Sequence, residues 1–131
     1  MLEKKMQKDL QNMGFKRMPK QIEYLSMSEI VSEFAEFSIE EYLNTPDIPG
    51  KLTFIEILVQ MIEAVEEMHS YGFIHQDIKL DNYRIMNNRV VLIDFGITTT
   101  YREPDGKHKV LWRQGFAGTP FNGSVRALQG Y

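Results

Sequence analysis

Residues 74–96 constrain this chain more than any other feature of it. Ile74-His75-Gln76-Asp77-Ile78-Lys79-Leu80-Asp81-Asn82 sets a carboxylate, an ammonium and an amide at offsets of two and five, and Asp94-Phe95-Gly96 follows twelve residues after Asn82. Between the two loops, the apolar runs 83–86 and 90–93 flank the polar turn Asn87-Asn88-Arg89, the pattern of a β-hairpin. A hairpin brings its two ends side by side, so the spacing supports one shared site for Asp77, Lys79, Asn82 and Asp94.

That set suits phosphoryl transfer, which needs little covalent help from a protein. It needs a carboxylate facing the attacking hydroxyl, a cation on the phosphate oxygens and hard oxygen ligands for Mg²⁺. Asp77 is expected to orient the hydroxyl and accept its proton, Lys79 to offset charge on the transferring phosphate, and Asn82 with Asp94 to hold the metal. Gly96 is expected to let the chain swing away from the metal, and Phe95 to pack beneath the site. Each piece alone is common, and a lone histidine such as His75 is more often structural than catalytic. Together, seven identities at fixed offsets, each expected at about one in twenty, make coincidence rarer than about one in a million.

The flanking sequence reads as mixed helix and strand. Leu2, Met6, Leu10 and Met13 form one stripe of a helix that Gly14 can end. Residues 18–37 carry Ile22, Tyr24, Ile30, Val31 and Phe34 around Ser26-Met27-Ser28, consistent with two strands joined as a hairpin. Ser38 with Glu41 forms a capping box before a short helix through Leu43, which the stretch 45–50 breaks. Thr53 with Glu56 forms a second box, after which Phe54, Leu58, Met61, Ile62, Val65 and Met68 mark one apolar face. Beyond Gly96, repeated threonine, proline and glycine interrupt any period, and that part reads as irregular.

Composition narrows the class. With 43% hydrophobic and 25% charged residues the 131-residue chain can bury a core as a single domain. A net charge of -3 argues against general nucleic-acid or membrane-surface binding, and no apolar window reaches the length of a membrane span. There is no cysteine, hence no disulfide and no thiolate metal site. Lys4, Lys5, Lys8, Lys16, Arg17 and Lys20 read as a solvated basic face, while Arg102, Lys107, Lys109 and Arg113 read first as surface charge and second as candidates for anion binding.

The loop at 75–82 resembles the protein-kinase signature His-Arg-Asp-x-x-x-x-Asn, and its order and spacing through Asp94-Phe95-Gly96 match that superfamily. Within it the chain is most similar to casein kinase 1. Gly72-Phe73-Ile74-His75 leads the loop, Tyr101-Arg102-Glu103 follows the metal loop, and Gly118-Thr119 precedes Ser124-Val125-Arg126, where that family has Ser-Ile-Asn. The resemblance implies an α+β, protein-kinase-like fold present in part. Residues 1–37 would be a remnant of the N-terminal lobe and the hinge, and 38–131 the first part of the C-terminal lobe through the activation segment.

The resemblance also implies ATP and Mg²⁺ as cofactors and a protein serine/threonine substrate, acidic or phospho-primed. It adds Thr119 beside the catalytic Asp77, Glu3 as the glutamate that pairs with the ATP-binding lysine, and Glu33 to Ala35 as the hinge at adenine. Ser32 would gate the pocket behind adenine and leave it open. Gln76 replaces the usual arginine, so control through a phosphorylated activation loop is not expected. Cytoplasm or nucleus would follow by analogy.

The glycine-rich loop and strand lysine of such a domain do not occur in the sequence. The chain therefore reads as a partial domain, with apolar faces left uncovered, and is expected to be inactive as an isolated fragment. One alternative is a pseudokinase-like binding or regulatory module, against which the intact Asp77, Lys79, Asn82 and Asp94 argue. Another, a small-molecule phosphotransferase, is disfavoured by Lys79 and Phe95.

Overall fold

A computed structural model describes residues 2–24, 30–109 and 116–129; the turn Ser26-Met27-Ser28 and Arg113 lie outside them. In chain order the helices are α1 (Leu2–Met13), α2 (Ile39–Asn44), α3 (Phe54–Ser70) and α4 (Val125–Leu128). The strands are β1 (Gln21–Tyr24), β2 (Ile30–Ser32), β3 (Phe37–Ser38), β4 (Phe73–Ile74), β5 (Tyr83–Met86), β6 (Arg89–Leu92) and β7 (Thr99–Thr100). They make three small antiparallel sheets, β1-β2, β3-β5-β6 and β4-β7.

The β5–β6 hairpin is the centre of the core. Ile85, Val90 and Leu92 are all 0% exposed, and burying each contributes roughly 1.5–3 kcal/mol. Asn87 and Asn88 both take positive φ (52° and 54°), the primed-turn geometry that matches the twist of two flanking strands. Arg89 pairs with Met86 and so belongs to the strand rather than the turn, one residue tighter than the sequence suggested. The turn is fastened from outside by the buried Tyr42 of α2, whose hydroxyl donates to Asn88 Oδ1 (2.7 Å) and accepts from Leu52 N–H (2.7 Å).

Both capping boxes form as the sequence indicates. Ser38 Oγ accepts from Glu41 N–H, and Thr53 Oγ1 from Glu56 N–H, each glutamate returning to the cap backbone. These bonds hold the Glu41 and Glu56 carboxyls below the usual carboxylate range. The helix after the first box runs one residue past Leu43, to Asn44.

The apolar face of α3 differs from the expected one. Its buried line is Ile57, Ala64 and Met68, with Met61 and Val65 packed beside it, whereas Phe54, Leu58 and Ile62 face outward. The physical reason is that α3 is apolar on more than one side, since Ile55 and Val59 are exposed as well. Periodicity alone then cannot choose a face. The hairpin chooses it: Gln60 Oε1 accepts from Val90 N–H (2.9 Å) and from Arg17 Nη1 (2.9 Å), which turns Ile57 and Ala64 inward. In α1, likewise, Leu10 is buried and Met13 is not.

The stretch after Gly96 is more ordered than its composition suggests. Thr99 and Thr100 pair with Ile74 and Phe73 as β7, a 3-10 turn spans Pro120–Asn122, and Ser124 Oγ caps α4 through Ala127 N–H (3.2 Å). The run Ile97-Thr98-Thr99-Thr100 between Gly96 and Tyr101 carries no alternation that would mark a strand. β3 was also missed, because a two-residue strand leading directly into a helix has no period of its own.

Candidate active site

Backbone conformation sets up the two loops before any side chain acts. Gln76 (φ 71°) and Asp94 (φ 60°) are non-glycine residues in the left-handed region, a conformation that persists only where surroundings enforce it. The turn expected at Gly96 therefore falls on Asp94 instead, an aspartate being one of the few side chains that tolerate it. Gly96 serves differently: a Cβ there would lie 3.3 Å from Asp94 Oδ1, which accepts from the Gly96 N–H.

His75 is buried and fixed at both ring nitrogens. Nδ1 accepts from Asp77 N–H (3.3 Å), so the proton sits on Nε2, which donates to the Ile93 carbonyl (2.9 Å). Burial holds its pKa below the ordinary value, keeping the ring neutral. His75 thus bolts the first loop to the strand end that leads into the second. Phe95, 1% exposed, meets its ring edge-on at 5.4 Å and packs beneath the site.

Three residues converge on Asp77. Thr119 reaches Oδ1 through both N–H (3.0 Å) and Oγ1 (2.7 Å), and Asn82 Nδ2 donates to the Asp77 carbonyl (2.8 Å) and to Oδ2 (3.2 Å). Lys79 Nζ lies 3.6 Å from Oδ2 and donates to Thr119 Oγ1 (2.9 Å). The threonine hydroxyl therefore accepts from lysine and donates to aspartate. The Thr119 hydroxyl bond, then the Lys79 charge, pull the Asp77 carboxyl below its ordinary range and outweigh its desolvation.

Gly118 makes this closure possible. It takes φ 111°, and a Cβ there would stand 2.6 Å from the Gln76 carbonyl. Gln76 itself donates from Nε2 to the Ile97 carbonyl (2.6 Å), tying the loop at 75–82 to the segment after Gly96 with no charge involved.

Asn82, 4% exposed, and the exposed Asp94 end up at adjacent strand ends, where Ile93 N–H donates to the Asn82 carbonyl (3.0 Å). Both side-chain bonds of Asn82 use Nδ2, which directs Oδ1 away from Asp77. Among the described residues no group of three or more His, Cys, Asp or Glu could hold a metal ion. Two hard oxygen donors and no cage fit Mg²⁺, which keeps water and phosphate oxygens in its shell, and do not fit a tightly held structural metal.

The three outlying residues are placed unequally. Glu3 Oε1 accepts from Phe95 N–H (3.2 Å), so α1 touches the loop at Asp94-Phe95-Gly96 directly. Glu33 turns its carboxylate back to Lys20 N–H (3.0 Å) and donates its own N–H to the Lys20 carbonyl (2.9 Å). Ala35 lies half-buried between β2 and β3, and among the described residues no hydrogen bond joins Glu33 or Ala35 to the Asp77 network. Ser32 lines a small cavity with Gln7, Pro19, Ile93, Asp94 and Phe95. Sequence reasoning missed Gln7, Gln11 and Gln21, although the four-residue spacing of Glu3, Gln7 and Gln11 was there to be read.

The description of the matching family is the protein kinase domain, over residues 3–121. A casein kinase I homolog of Saccharomyces cerevisiae is 38% identical over 68 residues, 47% of this chain and 12% of the relative. A probable casein kinase I homolog of Encephalitozoon cuniculi is 29% identical over 131 residues, 91% of this chain and 43% of the relative. The chain thus spans less than half the length of either relative.

Proposed function

The chain belongs to the protein kinase domain family, and from that premise we propose that it carries the lower part of a casein kinase 1-like, ATP- and Mg²⁺-dependent protein serine/threonine kinase. The observation that carries the reading is the network around Asp77, in which Thr119, Lys79 and Asn82 all bond to one carboxylate or to each other. Residues 1–37 are assigned to the end of the N-terminal lobe and hinge, and 38–131 to the start of the C-terminal lobe.

Asn82 and Asp94 would hold Mg²⁺, which neutralises phosphate charge when bound. Asp77 is kept ionised by its four donor contacts, so it accepts a hydrogen bond from a substrate hydroxyl and fixes its direction. A carboxylate with a lowered pKa is a weak base, so the proton moves to it late. That fits a loose transition state in which the hydroxyl needs orientation more than activation. Lys79 stands beside Asp77, where its ammonium meets the oxygens of the transferring group, and Thr119 holds the two at a fixed separation. Glu33 and Ala35 would meet adenine through backbone groups. The acceptor would be serine or threonine of a protein, acidic or phospho-primed as in the family, in cytoplasm or nucleus. Among the described residues no helix is long and apolar enough to cross a membrane.

The reading is tested by incubating the chain with labelled ATP, Mg²⁺ and casein, beside an Asp94→Asn variant. The chain alone is expected to transfer little or no label, whereas the same chain joined to the glycine-rich loop and strand lysine of a casein kinase 1 relative is expected to transfer label that the variant loses. Transfer that persists in the variant would contradict the assignment of Asp94.

A further inference from the structure

Helical spacing puts Glu3, Gln7 and Gln11 in one line along α1. The line runs from the loop at Asp94-Phe95-Gly96 to β1. Glu3 reaches Phe95 N–H of the metal loop. Gln7 lines the small cavity with Ser32, Asp94 and Phe95, and accepts a hydrogen bond from the side-chain amide of Gln21. Gln11 grips the backbone of Gln21 at two points, Oε1 accepting from its N–H (2.8 Å) and Nε2 donating to its carbonyl (3.4 Å). The side-chain amide thus pairs with β1 as a neighbouring strand would. Gln21 is 7% exposed, and in the β1–β2 register it stands opposite Ser32, at the strand end that leads into Glu33.

Among the described side chains of α1, Leu10 is the one in the core and Met6 packs only partly, so apolar packing by these alone holds the helix loosely. Burial is non-directional and would allow the helix to roll or slide. Hydrogen bonds with buried partners do not, since each lost one leaves an unsatisfied group. We propose that Gln7, Gln11 and Gln21 form a polar clamp that docks α1 on β1 and, through Glu3 and the Phe95 backbone, holds the Asp94 carboxylate in place. They are positioning residues for the phosphoryl transfer proposed above, on which the inference rests. The clamp is built of neutral amides, so unlike an ion pair it is indifferent to salt and to pH across the neutral range.

Amide hydrogen exchange on the whole chain, without nucleotide, tests the clamp. Gln11→Met keeps the side-chain volume and removes both bonds to Gln21. Exchange at Phe95 and along α1 is expected to rise about tenfold, the effect of losing one or two buried hydrogen bonds, while Val90 and Leu92 exchange as before. Gln7→Glu retains an acceptor for the Gln21 amide and is expected to keep Phe95 protected, whereas Gln7→Met is expected to expose it. Unchanged protection at Phe95 in Gln11→Met overturns the proposal. So does equal acceleration at Val90 and Leu92, which marks general loosening, or identical behaviour of the two Gln7 variants. Because no phosphoryl transfer is read, a failure here leaves the kinase assignment standing, and a silent kinase assay leaves the clamp result standing.

Discussion

The β5–β6 and β1–β2 pairs are both short antiparallel ladders, and each leads into part of the site, but they are held by different forces. β5–β6 keeps an unbroken register from Tyr83↔Leu92 to Met86↔Arg89, and Ile85, Val90 and Leu92 lose all contact with solvent. β1–β2 shifts register between Gln21 and Glu23 and leaves Ile22 66% exposed. It is fixed instead by polar contacts, Gln11 and Gln7 on Gln21 and the Lys20–Glu33 backbone pair. Burial fixes the half that holds Asp77, Asn82 and Asp94; directional bonds fix the half that leads to Glu33 and Ala35.

The largest expected effect separates these two directly. Leu92→Ala should cost about 4 kcal/mol, a cavity in a core site with no room to collapse. Ile22→Ala should cost less than about 0.5 kcal/mol, as for other exposed positions. Urea unfolding followed by circular dichroism reads both, and similar losses at the two positions would erase the contrast.

His75 is the polar group on which the buried half most depends. His75→Gln should cost about 2 kcal/mol, since the Asp77 N–H and the Ile93 carbonyl lose their buried partner. The folded pKa of His75 lies below its ordinary 6.5, so the unfolded chain binds more protons as the pH falls through that value. Wild-type stability is therefore full above 6.5 and declines below it. The variant should lack this decline between pH 7 and 5, while both proteins lose stability in more acid solution as Asp77 protonates. A parallel pH dependence of wild type and variant over pH 5–7, in denaturant melts, would contradict the account of His75.

The legible part of the molecule divides along the same line. The hairpin, both capping boxes and the convergence of the two loops follow from local rules, since turn asparagines, Ser/Thr-x-x-Glu spacing and apolar alternation act within a few residues. The buried face of α3 was not legible, because Phe54, Ile55, Leu58, Val59 and Ile62 offered several apolar faces and only the tertiary contact through Gln60 selects one. The left-handed turn at Asp94 and the close approach of Gly118 to Gln76 were also hidden, being imposed by distant backbone. The glutamine clamp left a visible spacing but no compositional mark. Ser124 caps α4 and Thr119 bonds to Asp77, contacts that no local pattern in the sequence announced.

Smaller effects sharpen the picture. Ser38→Ala should cost about 1 kcal/mol through loss of the cap on α2, seen as a lower midpoint in the same urea titration, with β5–β6 amide exchange unchanged. Thr119→Val removes the hydroxyl that contributes most to the lowered pKa of Asp77. The Asp77 carboxyl should then titrate at higher pH, followed by its side-chain carbon resonance, with little change in overall stability. An unmoved titration would mean that the Thr119 hydroxyl is not what holds Asp77 ionised.

The central claim is that Lys79, Asn82 and Asp94 form one preassembled phosphate and metal site, and amide NMR shifts on adding Mg²⁺ and ATP test it most directly. The account predicts Mg²⁺-dependent shifts at Lys79, Asn82, Asp94 and Gly96 that Asn82→Ala abolishes while the rest of the spectrum stays folded. Shifts confined to other residues, or shifts that Asn82→Ala leaves intact, would contradict it.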